Sequence, residues 1–384
     1  MASLEEQLRA VKLKKSLEPQ KDFSSPKTAG YISQEEIQSY QMSVLDVNTE
    51  EWFELLEDYT FPSRYVPIDI EDAKLFVSIY DRLYAKHDPS VIATIDWREH
   101  LSSVESKRIK YLCSCLQEEM DSFLVDKGAE FAFVKLSSRS PKDAPMAQSR
   151  FKQMYQNLIS QEHLMNLTQV EIENLQVTSL LKAAFQALKM KFADDVIDCC
   201  VRSERVYQDL LLALALPSRF RENWIVRQFV DIDVDMEFRG FVHQQRLTAL
   251  SQYNYLIYSE RLANNKDFYT RTISTFFERN IKPKLSNFVK DYIIDFAVCE
   301  DVPGAKVWVI EINPFLITTD AALFSWEHER NLLEGSGDHV EFRVVEKPRH
   351  GAKAMLPMGM KEMIRENICT FPFFKNCVIT HFGF

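Results

Sequence analysis

The sequence predicts an α+β protein with a mainly antiparallel sheet and more than one lobe. Three features carry this expectation. Residues 293–296 and 306–315 read as two strands joined by the turn signal Asp301-Val302-Pro303-Gly304-Ala305, and residues 237–243 and 246–254 as two more joined by Gln244-Gln245, so neighbouring strands run antiparallel. Residues 146–216 hold neither Gly nor Pro and are charged and helix-periodic. At 384 residues, with 46% hydrophobic and 12% aromatic side chains, the chain can bury a core large enough for more than one lobe.

The formal net charge of −10 argues against a general binder of nucleic acid or anionic membranes. The longest apolar run, residues 210–216, is too short to span a bilayer, and charged residues directly after Leu4 leave no signal-peptide pattern. The seven cysteines lack C-x-x-C spacing and read as reduced thiols, which makes a cytoplasmic location the expectation.

Taken in order, residues 1–20 form a short unit. Ser3 with Glu6 makes a capping box, Leu4, Leu8 and Val11 make one apolar stripe, and Pro19 stops the helix. Residues 21–45 read as linker, rich in Ser, Pro and polar residues at its start, with Ser33 a helix start inside it. The main domain is expected over 46–334. Trp52, Phe53, Leu55 and Leu56 are an apolar cluster, residues 61–68 are extended between prolines, and residues 70–84 and 101–128 are helical. Residues 130–136 read as a strand and 137–144 as a polar loop. The 146–216 stretch divides into two or three helices, with apolar stripes at Leu180, Leu181, Ala184, Leu188 and Phe192 and at Val206, Leu210, Leu211 and Leu214. Strands at 224–231, 237–243 and 246–254 follow, then a helix over 266–290 interrupted at Pro283. Residues 335–384 are a divergent C-terminal segment whose aromatics at 371–374 and 382–384 are apolar enough to be packed.

Certain residues stand out chemically. Lys135 sits inside an apolar strand, where an ammonium must either turn to solvent or meet an anion. Arg227 and Arg239 are strand cations that need anionic partners. Asp231, Asp233 or Glu237 could provide these as salt bridges, and phosphate recognition is the alternative. Glu311 and Asn313 are two apart on one strand and share a face, and a turn centred near Pro303 sets Asp295 opposite Ile310 or Glu311. Two carboxylates and an amide are hard oxygen ligands of the kind magnesium takes beside nucleotide phosphates; solvated residues on an open sheet face are the plain alternative.

The segment SLEEQLRAVKLKKS resembles the Wiskott–Aldrich homology 2 motif. The resemblance implies monomeric actin as a partner, with Leu4, Leu8 and Val11 in its groove and Leu13, Lys14 and Lys15 as the extended basic part; Ser16 stands where Thr or Val is usual. An ordinary terminal helix is the competing reading.

A wider resemblance spans Trp52 to Glu327. Lys135-Leu136 with Ser140-Pro141-Lys142-Asp143-Ala144, Val226-Arg227-Gln228-Phe229, Glu237-Phe238-Arg239-Gly240-Phe241-Val242, Ser251-Gln252-Tyr253-Asn254-Tyr255, Ile294-Asp295-Phe296, Ile310-Glu311-Ile312-Asn313-Pro314-Phe315 and Thr319-Asp320 resemble, in order and spacing, the cell division cycle protein 123 family. The resemblance implies an ATP-grasp fold whose two lobes clamp ATP and magnesium. It also implies a role as an assembly chaperone of translation initiation factor 2, through that factor's gamma subunit. By it, Lys135, the hinge Arg227, Gln228, Phe229 and Val230, Glu237, Arg239, Asp295 and Glu311 would contact ATP, and Asp295, Glu311 and Asn313 would hold magnesium. Glu311 replaces the family's usual aspartate and Arg139 its usual serine. A divergent carboxylate-amine ligase is the enzymatic alternative, for which the sequence shows no acceptor pocket.

Overall fold

The computed structural model describes residues 34–85, 95–144, 149–162, 166–300 and 305–368. The actin-like segment, the turn residues 301–304 and the aromatics at 371–374 and 382–384 lie outside the described residues.

Two sheets organise the molecule. The first has three antiparallel strands in the order β1 (Ser63–Ile68), β3 (Glu222–Gln228), β2 (Ala132–Leu136). Pro67 falls in β1, where an edge strand tolerates its missing N–H. The second sheet has the order β7 (Lys306–Pro314), β6 (Tyr292–Cys299), β4 (Glu237–His243), β5 (Arg246–Gln252), β8 (Glu341–Arg343). Its pairs are antiparallel apart from the parallel β5–β8 contact. The α+β architecture expected from the sequence is the one observed.

Each sheet covers its own core. The first is packed by α3 (Ile70–Leu83), whose N-cap Asp69 accepts from Asp72 N at 2.8 Å, and by α4 (Ser103–Lys127), which a Ser102/Glu105 capping box opens and Gly128 at φ 60° closes. The second core gathers Phe238, Ile294, Phe296 and Val309 with Trp52, Leu56 and Phe61. The chain segment before β1 therefore packs on the far sheet, and α1 (Gln34–Leu45) and the short α2 (Thr49–Trp52) lead into it. The linker expected over 21–45 is helical from Gln34 onward.

Among the described residues the helical stretch holds four helices, not two or three: α5 (Ser149–Gln161), α6 (Gln169–Gln186), α7 (Ala193–Arg202) and α8 (Glu204–Ala215). Local caps cut it, with a Thr168/Glu171 capping box opening α6 and Ser203 accepting from Val206 N to open α8. Phe192 consequently does not extend the α6 stripe. It is the extended N-cap of α7 and is 59% exposed. From residue 335 to 368 the chain is built into the fold: β8 pairs with β5, and Met360 and Ile364 of α9 (Met358–Ile368) pack against α5 and α6. Among the described residues no helix is long and apolar enough to cross a membrane.

Candidate functional site

The site is assembled where the two sheets face one another. In the second sheet, Arg239, Asp295 and Glu311 are direct cross-strand neighbours on β4, β6 and β7, forming one charged row. Arg239 grips Asp295 with both arms, Nε to Oδ1 at 2.9 Å and Nη2 to Oδ2 at 2.7 Å, and gives Nη1 to the Asp320 carbonyl at 2.7 Å. Its partner is thus neither Asp231, Asp233 nor Glu237. Asp233 is taken by Arg261 at 2.7 Å, and Asp231 accepts from Gln186. Burial, outweighed by Asp295, leaves the Arg239 guanidinium more firmly protonated than usual, whereas burial pushes the Asp295 carboxyl above its ordinary value against Arg239.

A bulge shapes the row. Asp295 pairs with Glu311 and Phe296 with Val309, so Ile310 is the extra residue, and its carbonyl is open to a partner from outside the sheet. Arg227 fills that place. It donates Nη1 to Ile310 O at 2.7 Å, Nη2 to Thr60 Oγ1 at 2.6 Å and Nε to Ser63 Oγ at 3.1 Å, and lies over the Phe61 ring. Its side chain therefore braces one sheet against the other, and burial lowers its pKa to about 10. Gln228 ends β3, and Phe229 and Val230 begin the connection to β4. Gln228 N donates to Pro62 O, Phe229 N to Phe131 O, and the Phe229 ring packs on Phe185.

Lys135 is 2% exposed on β2 and crosses between the sheets. Its Nζ lies 3.6 Å from Glu311 Oε2, 3.2 Å from Thr49 Oγ1 and 3.1 Å from Ser138 O. Burial lowers its pKa and Glu311 opposes that. Burial likewise disfavours the Glu311 charge, but Lys135, Lys142, Arg205 and Arg239 outweigh it and hold the carboxyl well below the usual range. Glu237, on the face of β4 that carries Arg239, is pushed up by burial, with Lys142 opposing. Asn313 donates to Asp295 Oδ2 at 3.2 Å.

Lys135, Arg239, Asp295, Glu311 and Asn313 thus come together, whereas Gln228, Phe229 and Val230 do not line the cavity beside them, and two qualifications apply. Arg227 acts through a sheet-to-sheet brace, and Asp295 is already held by Arg239 and Asn313. Of the three expected magnesium ligands, Glu311 and Asn313 open on the adjoining cavity of about 570 Å³. No group of three or more His, Cys, Asp or Glu is arranged for a metal among the described residues. Two hard oxygen donors still suit magnesium, which keeps waters and takes phosphate oxygens alongside one or two carboxylates.

Sequence reasoning gave no role to Asp209, which accepts from Ser138 and from Arg139 Nε at 2.8 Å and so pins the 137–144 loop to α8. It also passed over Arg205, whose Nε meets Ser140 O at 3.1 Å. Neither has a sequence signal, because a helix supplies them to a loop about 70 residues away.

The model of the family described as D123 matches residues 95–371. The chain belongs to the D123 family. A Xenopus laevis protein named translation initiation factor eIF2 assembly protein is 32% identical over 115 residues, 30% of this chain and 32% of that protein, so the match spans about a third of the relative's length. A Candida albicans protein of the same name is 23% identical over 337 residues, 82% of this chain and 86% of the relative. The solved structure of Cdc123 from Schizosaccharomyces pombe superposes with a TM-score of 0.54 at 21% identity, covering 80% of this chain and 98% of that one, and shares the fold. The D123 match runs to residue 371, so most of the segment expected to be divergent after residue 335 is family sequence.

Proposed function

We propose that this D123 protein is an ATP- and magnesium-binding, ATP-grasp-like assembly factor for translation initiation factor 2, acting through its gamma subunit. The role is supported by the relatives that carry the eIF2 assembly name. The observation that carries the nucleotide site is Lys135 of one sheet held 3.6 Å from Glu311 of the other, both nearly sealed from water. A buried pair at that distance, without a direct hydrogen bond between its members, suits exchange: the ammonium toward phosphate and the carboxylate toward magnesium. Gln228, Phe229 and Val230 would border the base, with Arg239 and Lys135 on the phosphate side. Glu311 and Asn313 would hold magnesium, which would draw charge from the phosphates. ATP bound between the sheets would favour their closed arrangement in proportion to its differential affinity for that state.

Calorimetric titration tests this reading. ATP is expected to bind the full chain at least tenfold more tightly with magnesium than without, a difference of about 1.4 kcal/mol. Glu311→Ala should lose the magnesium dependence. Wild-type protein that binds no ATP under either condition would overturn the nucleotide site, and failure to retain the gamma subunit on the immobilised chain would overturn the partner.

A further inference from the structure

The cavity beside Glu311 has a wall that the proposed nucleotide contacts do not use. Glu311, Asn313 and Arg239 line it, whereas Lys135, Gln228, Phe229 and Val230 do not, so it adjoins the metal end of the site and not the hinge. Its other wall comes from α8 through Arg205, Asp209 and Leu212.

The cations of this wall are unequally satisfied. Arg239 is taken by Asp295 and Asp320, and Arg139 by Asp209. Arg205 is held only at Nε, by Ser140 O at 3.1 Å, and among the described residues no acceptor meets its Nη atoms. Its position is also unfavourable for the helix. Arg205 lies in the first turn of α8, where the macrodipole disfavours a cation, and the end is already served by Ser203 on Val206 N and Asp143 on Arg205 N at 3.2 Å. A half-buried planar fork, fixed at one nitrogen and open at two, is built to grip an oxyanion in bidentate fashion. Apolar neighbours such as Leu181, Leu212 and Leu256 suit a ligand whose charged head is attached to an apolar body.

We infer that Arg205 is the oxyanion anchor of this cavity, binding a terminal phosphate or a ligand carboxylate on the side of Glu311 away from the hinge. The terminal-phosphate form rests on the nucleotide reading and the carboxylate form does not, and the test keeps the two apart. Inorganic phosphate and succinate are titrated alone into the full chain and its Arg205→Gln variant, followed by MgATP and MgADP. If the anchor serves the terminal phosphate, Arg205→Gln weakens phosphate and MgATP tenfold or more and leaves MgADP within twofold. If it serves a carboxylate, succinate binding is lost and both nucleotides are unchanged. Arg205→Lys, which keeps the charge but not the fork, should fall between. Because Arg205 gives its side chain to one carbonyl only, melting temperature should hold in Arg205→Lys, which keeps the charge that favours ionised Glu311, and fall only slightly in Arg205→Gln. Affinities for all four probes that are the same in wild type and Arg205→Gln, or wild type that binds none of them, would overturn the assignment.

Discussion

Arg239→Met is expected to lower the unfolding free energy by about 3–5 kcal/mol, the cost of leaving one member of a buried ion pair alone. Arg239 is 5% and Asp295 1% exposed, so water cannot replace the two bonds at 2.9 and 2.7 Å. The same change releases the Asp320 carbonyl and removes the cation stacked 4.9 Å from the Tyr253 ring centre. The control that separates charge from packing is Arg239→Met combined with Asp295→Leu, which removes both charges and should recover most of the loss. Urea denaturation of the wild type and both variants at one pH measures it. A double variant no more stable than the single would mean that the pair matters through shape or hydrogen bonding and not through an uncompensated carboxylate.

Stability should also fall as pH rises from about 4.5 to about 8, and Glu222 is the residue to substitute. It is 3% exposed at the start of β3, and its Oε2 has no hydrogen-bond partner. Burial first, then the charges of Glu50 and Asp209, raise its pKa from 4.5 to about 8. In the unfolded chain the carboxyl ionises at the ordinary value, while the native state keeps its proton until about pH 8. Between those limits the native state binds more protons, and each pH unit lost to this difference costs about 1.4 kcal/mol, which sums to ~4 kcal/mol by pH 8 and then levels. Glu222→Gln keeps the shape of the neutral acid and removes the titration. Its stability relative to wild type should therefore rise between pH 5 and pH 8, as followed by urea denaturation at each pH. A constant difference across that range would place the Glu222 proton elsewhere.

The sequence by itself determined most local elements and narrowed one non-local register. Alternation and the turn signal at 301–305 set Asp295 opposite Ile310 or Glu311, and the bulge at Ile310 decides for Glu311. A lysine inside the apolar run 133–136 had either to turn to solvent or to meet an anion, and the structure decides for the second, with Lys135 buried beside a carboxylate. Gln244 and Gln245 marked a two-residue turn without the glycine it prefers. The turn stands at φ 50° and 60° because Asp291, Leu285 and Val289 bond the two glutamines from another part of the chain.

Only the tertiary structure decided the partners. Arg239 meets Asp295 and not a nearby aspartate, because β4 lies beside β6 and cross-strand neighbours follow strand order, not sequence distance. Arg227 serves the Ile310 carbonyl because a bulge on β7 frees that group and the two sheets bring it within reach, an arrangement without a local signature. The cavity belongs to the same class. Its walls come from α1, α8, the 137–144 loop and the end of β7, and periodicity, which reports which face of an element is buried, does not report what that face will touch.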